Sequence, residues 1–207
     1  MTLRITRVLT LAAALIGVGS AHAGVVSFDF NSLDLATTPL TLSSGGVNAT
    51  FSSSQDPGTF TVELLTPNIT FTEEMLVTSN PGDAPGPELD ITFSQPLTSF
   101  SAHFATDGPG PLDLTALTGG VGGTVVGTSS ATGSVDVAGG GSFPQGTISF
   151  SGATFDSLIL TDISDPALSV GSFTVTTAPT SVPEPAPLAL TLVALAGLAL
   201  ARRPRKI

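Results

Sequence analysis

The sequence predicts an all-β protein, an antiparallel β-sandwich of jelly-roll type with a C-terminal transmembrane helix. Three observations predict this fold. Apolar and polar residues alternate in short runs, which is the period of half-buried strands rather than helices. Turn-forming clusters such as Asp56-Pro57-Gly58 separate the runs. The uncharged run at residues 188–201 consists mostly of Leu and Ala, which favour helix.

The alternating runs give the expected core face of each strand. About ten short strands at this spacing predict two antiparallel sheets packed face to face. The glycine-rich stretch at residues 119–141 fits either an edge hairpin or a long loop. The residues expected to face inward are Val26, Phe28, Phe30, Val47, Ala49, Phe51, Phe60, Val62, Leu64, Leu89, Ile91, Phe93, Phe100, Ala102, Phe104, Leu112, Leu114, Ala116, Ile148, Phe150, Leu158, Leu160, Phe173 and Val175.

Charge is distributed very unevenly along the 207 residues. Residues 24–181 contain fifteen Asp and Glu and neither Lys nor Arg, which gives this stretch a formal charge of −15. Such a surface repels nucleic acid, so we expect no DNA or RNA partner. Cysteine is absent, which excludes disulfides and thiolate metal sites. Burial must therefore supply the stability of the fold.

The N-terminus has the order of a Sec-type signal peptide over residues 1–23. Arg4 and Arg7 provide a positive start, an apolar run follows, and Ala21-His22-Ala23 is a small-residue cleavage site. We expect signal peptidase to cut between Ala23 and Gly24. The alternative is an uncleaved anchor, but the apolar run of twelve residues falls short of the ~20 that span a bilayer.

The C-terminus combines three segments in a fixed order. A Pro-rich linker at residues 178–187 contains Val182-Pro183-Glu184-Pro185, whose prolines hold the chain extended. Residues 188–201 form the predicted transmembrane helix, about 21 Å long against a hydrocarbon core of about 30 Å. The basic residues of the tail at 202–207 are expected to stay cytoplasmic under the positive-inside rule. These residues are Arg202, Arg203, Arg205 and Lys206.

This tail resembles the PEP-CTERM sorting signal of exported proteins in Gram-negative bacteria that make extracellular polysaccharide. In that family the Pro-Glu-Pro motif, here Pro183, Glu184 and Pro185, precedes a membrane helix and a basic cluster. The resemblance implies recognition by exosortase, an integral-membrane processing enzyme. It covers about the last eighth of the chain. The alternative is a plain tail anchor after a Pro-rich stalk.

The β domain at residues 24–177 also resembles the β-sandwich domains that precede PEP-CTERM tails. The resemblance rests on the stretches ITFSQPLTSFSAHF and GTISFSGATFDSLILTD. Such domains commonly carry an Asp-Asn pair in the last strand beside an acidic cation site. Here the matching residues, 168–173, read LSVGSF and lack that pair. This departure weakens an inherited calcium or sugar site.

No pattern of catalytic residues stands out, and we expect no catalytic site. His103 falls on a polar strand face and is interpreted as a solvated or hydrogen-bonded surface histidine, because no nucleophile motif accompanies it. The carboxylate pairs Glu73-Glu74 and Glu88 with Asp90 are interpreted as plain acidic surface. A glycosidase would need two carboxyl groups that face each other across a cleft.

Calcium and carbohydrate are the ligands that remain open. We expect no cofactor, but an acidic domain offers hard oxygen ligands, and the weak calcium candidates are Asp107, Asp113, Asp162 and Asp165. No EF-hand pattern is present. The chain has no Trp or Tyr to form an aromatic sugar platform.

The sequence therefore predicts an exported, non-enzymatic surface or biofilm-matrix protein. Its expected partners are the Sec and signal peptidase machinery, an exosortase, the inner membrane before processing, and extracellular polysaccharide. After processing we expect it at the cell surface or outside the cell. The alternatives are a calcium-dependent or carbohydrate-binding module and a secreted hydrolase, which would lose activity when His103 or the pair Glu88 and Asp90 is changed.

Overall fold

The computed structural model describes residues 23–33, 35–53, 59–65, 70–78, 86–135, 143–163 and 167–179. Over these residues the chain forms ten strands, every pair is antiparallel, and there is no helix. The predicted all-β, antiparallel class is confirmed. The strands are β1 (Val25–Phe28), β2 (Leu40–Ser44), β3 (Val47–Ser52), β4 (Phe60–Leu64), β5 (Glu74–Thr78), β6 (Glu88–Thr106), β7 (Pro111–Thr118), β8 (Thr124–Thr132), β9 (Gln145–Thr161) and β10 (Leu168–Thr177).

Two long central strands, β6 and β9, organise the sheet. The main strand order is β4-β5-β10-β6-β9-β7-β8, while β1 pairs with β10 and the β2-β3 hairpin pairs with β6. The first part of β6 lies between β3 and β9, and its second part lies between β10 and β9. Register shifts separate the two parts between Thr92 and Ser99. Such irregularities bend a strand and increase its twist, so β6 and β9 serve both parts of the sheet.

The core is built around Phe173 of β10. Its ring contacts those of Phe28, Phe51, Phe93 and Phe100, with centroid distances from 4.6 to 6.5 Å. Strands β3 and β10 are not paired, yet Phe51 and Phe173 meet edge to face. Opposed parts of the folded sheet therefore pack against each other, although all ten strands belong to one hydrogen-bonded network. The sequence predicted two separate sheets.

The residues that the sequence predicted to face inward are buried, with one exception. In β3, for example, Val47, Ala49 and Phe51 are fully buried while the residues between them are exposed. Leu64 was predicted to face inward, but it is 54% exposed. It is the last residue of β4, the outermost strand of the main order, where the sheet provides less cover.

A compact unit extends over Ala23–Ala178. None of the described residues belongs to a helix that is long and apolar enough to cross a membrane. Several predicted segments lie outside the described residues. They are the transmembrane helix at 188–201, the sorting motif at 182–185, the basic cluster at 202–206 and all of the signal peptide before Ala23.

Candidate functional site

The start and the end of the β domain lie side by side. Strand β1 pairs with the last residues of β10 in the register Val25 to Thr176. One step further out, the Gly24 N–H donates to Thr177 Oγ1 over 3.0 Å, and the Thr177 N–H donates to the Gly24 carbonyl over 2.9 Å. The Ala178 N–H then donates to the Pro96 carbonyl over 2.9 Å. The predicted cleavage point and the start of the Pro-rich linker are therefore neighbours.

A histidine and a glutamate meet on the outer face of the sheet, opposite the core. His103 Nδ1 of β6 lies 2.7 Å from Glu73 Oε1, which belongs to the segment before β5. The imidazole also stacks on Phe71, with ring centroids 4.3 Å apart and planes 2° apart. His103 is 40% exposed and Glu73 is 16% exposed. Among the described residues His103 is the only basic side chain, so this contact is the one place where a protonated base can meet a carboxylate.

Glycine at position 171 lets Glu73 reach His103. A Cβ at Gly171 would lie 2.5 Å from Glu73 Oε1, so the carboxylate crosses β10 where a side chain is missing. The same segment is held at Thr70, whose N–H and hydroxyl both donate to Gln145 Oε1 over 2.9 Å. Residues 70–73 are thus fastened across the outer face by side chains of β6 and β9.

Small hydroxyl side chains cover the outer face next to His103. Four of these residues lie in register across the neighbouring strands β1, β10, β6 and β9, namely Ser27, Thr174, Ser101 and Ser149. A depression of about 240 Å³ opens among them. Polar residues that line it are Ser27, Ser101, His103, Thr147, Ser172 and Thr174. Hydroxyl groups both donate and accept hydrogen bonds, so this surface matches a neutral ligand that carries hydroxyl groups of its own.

A second cavity, of about 280 Å³, lies on the same face and is mainly apolar. Val77, Ala105 and Phe143 contribute to its walls, and all three also pack in a small cluster with Met75. Asp107 stands at its border. This cavity offers one carboxylate among apolar groups, which is too few oxygen ligands for calcium.

The three weak calcium candidates that the structure describes differ in their surroundings. Asp107 is exposed in the turn after β6, whereas Asp162 is completely buried behind β9. Asp113 is half-buried on β7, and Asp165 lies outside the described residues. In the part of the chain that the structure describes, no three His, Asp or Glu side chains are grouped so that they could hold a metal ion.

Asp90 corrects the interpretation of the carboxylates as plain surface. Glu88 is half-buried, but Asp90 is only 4% exposed and lies between the buried residues Leu89 and Ile91. Both faces of β6 are covered at this point, so alternation along the strand does not decide burial here. Asp162, one of the weak calcium candidates, is buried as well.

Asp156 has a structural role that the sequence did not reveal. Its carboxylate accepts hydrogen bonds from the N–H groups of Gly119 and Gly120 and from the Ser157 hydroxyl, at 2.9 to 3.1 Å. Burial alone would raise the pKa of Asp156, but these hydrogen bonds outweigh it and hold the pKa below the ordinary value of an aspartate. Both glycines have φ of 89°, where other residues are strained. Asp156 therefore fixes the turn between β7 and β8.

Comparisons with known proteins show no family. No protein-family model and no curated protein matches the chain. Solved structures with weak similarity include a catalytic domain of a GH87 α-1,3-glucanase in complex with nigerose (TM-score 0.39, 11% identity, 80% of this chain and 31% of that chain). The chain thus spans about a third of the glucanase chains that it matches.

Two further structures match over most of their own length. One is a Bacillus endospore appendage protein from a family of disulfide-linked pili (TM-score 0.30, 10% identity, 80% of this chain and 98% of that chain). The other is a family 6 carbohydrate-binding module (TM-score 0.30, 15% identity, 73% and 93%). Similarities of this size carry no argument about function.

Proposed function

We propose that the protein is an exported, non-enzymatic cell-surface or extracellular-matrix protein, delivered through the Sec route and processed at its tail by an exosortase-type enzyme. Its β domain is a jelly-roll-like sandwich that serves as the displayed part. The inner membrane holds the chain through residues 188–201 until processing. Signal peptidase and exosortase are the processing partners, and extracellular polysaccharide is the material with which the released protein associates.

The pairing of Gly24 with Thr177 is the observation that supports this proposal best. The first residue expected after signal cleavage is hydrogen-bonded to the last residue of β10. Strand β1 begins at Val25, so removal of residues 1–23 would leave all ten strands of the described residues intact. Only Pro179, Thr180 and Ser181 separate the hydrogen-bonded Ala178 from Val182. A membrane enzyme could therefore bind the sorting motif that begins at Val182 without unfolding the strands.

Mass spectrometry of the protein from its native host tests both processing steps. The wild type is expected to begin at Gly24 and to lack the segment after Pro185. Glu184→Ala is expected to keep the same N-terminus and retain the tail. Glu63→Ala removes a carboxylate from β4 and serves as the matched control, with wild-type processing at both ends. An intact C-terminus in the wild type would contradict exosortase processing and favour a simple tail anchor.

A carbohydrate-binding function is the second candidate, and the hydroxyl-lined depression beside His103 favours it. The depression contains donors and acceptors but no Lys or Arg, which suits a neutral glycan better than an anionic one. Binding of the neutral glucans dextran and laminarin to the full-length protein in detergent, measured by calorimetry, tests this function. Thr174→Val and Ser101→Ala should weaken binding, whereas Thr41→Val on β2 should not. Equal binding by all variants would exclude the depression as the site.

Calcium needs a separate test, because an acidic domain offers the hard oxygen ligands that calcium prefers. If calcium binds specifically, it should raise the melting temperature of the full-length protein and a chelator should reverse the rise. Magnesium at the same concentration controls for general screening of the acidic surface. An equal effect of both cations would indicate diffuse counter-ion binding.

A further inference from the structure

We infer that Thr177 receives the new N-terminal amine of Gly24, and that signal-peptide cleavage has to precede the pairing of β1 with β10. This inference rests on the proposed function, since it takes the bond between Ala23 and Gly24 as the one that is cut.

The cleaved bond and the hydrogen bond share one atom. Hydrolysis adds one water across the Ala23–Gly24 peptide bond, so Ala23 leaves with a carboxylate and the Gly24 nitrogen becomes an amine that takes up a proton. That nitrogen already lies 3.0 Å from Thr177 Oγ1. The donor changes from a neutral amide to an ammonium group, and charge-assisted hydrogen bonds are stronger than neutral ones. The contact with Thr177 is therefore stronger in the cleaved protein than it would be in an uncleaved folded chain.

The charge of the domain favours the same outcome. Residues 24–181 contain no Lys or Arg, so the ammonium group adds a positive charge to a stretch with a formal charge of −15. The field of the acidic domain attracts it. Thr177 is the last residue of β10, so the new N-terminus is fixed where the C-terminal linker begins.

The order of events follows from how little chain separates the cleaved bond from the sheet. Only Gly24 lies between Ala23 and Val25, the first residue in the ladder with β10. The N–H and the carbonyl of Gly24 are both occupied by Thr177. A protease needs its target strand released from such pairing, so a closed domain is cut only when it opens locally. Cleavage during export, before β1 joins β10, avoids this barrier.

Purified signal peptidase in detergent tests the order on the full-length precursor. The precursor is presented after folding, and also as the variant Phe173→Asp, which stays unfolded because it places a charge at the centre of the phenylalanine cluster. We expect the folded wild type to be cut between Ala23 and Gly24 at least about tenfold more slowly than the unfolded variant. Folded Thr177→Val should be cut faster than folded wild type. Thr118→Val, an equivalent change at the exposed last residue of β7, should match wild type.

The possible results distinguish a failure of the predicted signal peptide from a failure of the inferred order of cleavage and strand pairing. If neither the folded nor the unfolded chain is cut at this bond, the predicted signal fails and the inference falls with it. If both are cut at the same rate, the signal stands and the inferred order is wrong. If Thr177→Val is protected as well as wild type, Thr177 does not hold Gly24 closed.

Acetylation of the mature protein tests the amine itself. Blocking the N-terminal amine should lower the melting temperature of wild type and Thr118→Val by about 2 to 4 °C. It should leave Thr177→Val unchanged, because the acceptor hydroxyl is already missing. In the processed protein this amine is the only primary amine, because residues 24–185 contain no Lys. An equal decrease in all three would overturn the role of Thr177.

Discussion

Phe173 of β10 stacks on Phe28 of β1, with ring centroids 4.6 Å apart and ring planes 7° apart. Because Phe173 also contacts Phe51 and Phe100, one side chain joins strands that lie far apart in the sequence. With no disulfide available, this aromatic cluster is the part of the core in which a single truncation should be felt most.

Phe173→Ala should lower the free energy of unfolding by about 3 to 5 kcal/mol, since it removes a buried ring and leaves a cavity. Urea unfolding of the full-length protein, followed by far-ultraviolet circular dichroism, measures the change. Ile163→Ala is the control, because Ile163 is 72% exposed and a surface change should stay within about 0.5 kcal/mol. A loss below about 1 kcal/mol for Phe173→Ala would contradict the central place of this ring.

Asp156→Asn should lower the free energy of unfolding by about 1 to 2 kcal/mol at pH 7, because an amide cannot accept all the hydrogen bonds that the carboxylate receives. The pKa of Asp156 is lower in the folded state. Its stabilising contribution is therefore complete above the ordinary aspartate pKa of about 3.9 and is lost as the pH falls through the lower folded value.

The measurement for Asp156 is a series of urea unfolding curves between pH 7 and pH 2.5. The difference between wild type and Asp156→Asn should stay constant down to about pH 5 and shrink below about pH 4. Asp107→Asn, a change at an exposed aspartate, should follow the wild-type curve. A difference that does not change with pH would show that the carboxylate charge is not what fixes the turn.

Glu73→Gln and His103→Gln should each weaken the attachment of residues 70–73 to the outer face. In a double-mutant cycle the coupling free energy should be about 0.5 to 1 kcal/mol, because the contact is short but partly exposed. Thermal unfolding of the four proteins gives this value. Additive effects would mean that the 2.7 Å contact contributes nothing to stability.

Local pattern predicted the fold class and most of the core. Alternation depends only on neighbouring residues, so the inward positions of β3 and β7 could be predicted from sequence. It could not show that β6 and β9 continue through their bulges and join both parts of the sheet, because this pairing depends on contacts between distant residues. The burial of Asp90 depends on such contacts too.

The candidate site was harder to predict for the same reason. His103 was recognised as a polar-face histidine, but Glu73 lies thirty residues away along the chain. Phe71 stacks on the imidazole, but its sequence context does not distinguish it from other apolar residues. Asp156 and its partners Gly119 and Gly120 are separated by 36 to 37 residues. A glycine pair marks a turn in a sequence, but it does not show which carboxylate binds that turn.

Gly86→Ala should destabilise the protein far more than Gly171→Ala, although a Cβ would clash at both positions. At Gly86 the Cβ would overlap the backbone oxygen of Asp162. That oxygen cannot move alone, because the Asp162 N–H is bonded to the Pro87 carbonyl and the β6–β9 ladder begins at Glu88. We expect a loss of at least about 3 kcal/mol, or failure to fold.

At Gly171 the clashing atom is the carboxylate of Glu73, which can rotate away at the cost of its contact with His103. We expect a loss of about 0.5 to 1.5 kcal/mol for Gly171→Ala, and almost none when it is added to Glu73→Ala. Urea unfolding of the variants gives the comparison. Gly86→Ala should lower the free energy of unfolding just as much in the Glu73→Ala background. If Glu73→Ala reduced the loss equally at both positions, the distinction between a backbone clash at Gly86 and a side-chain clash at Gly171 would be wrong.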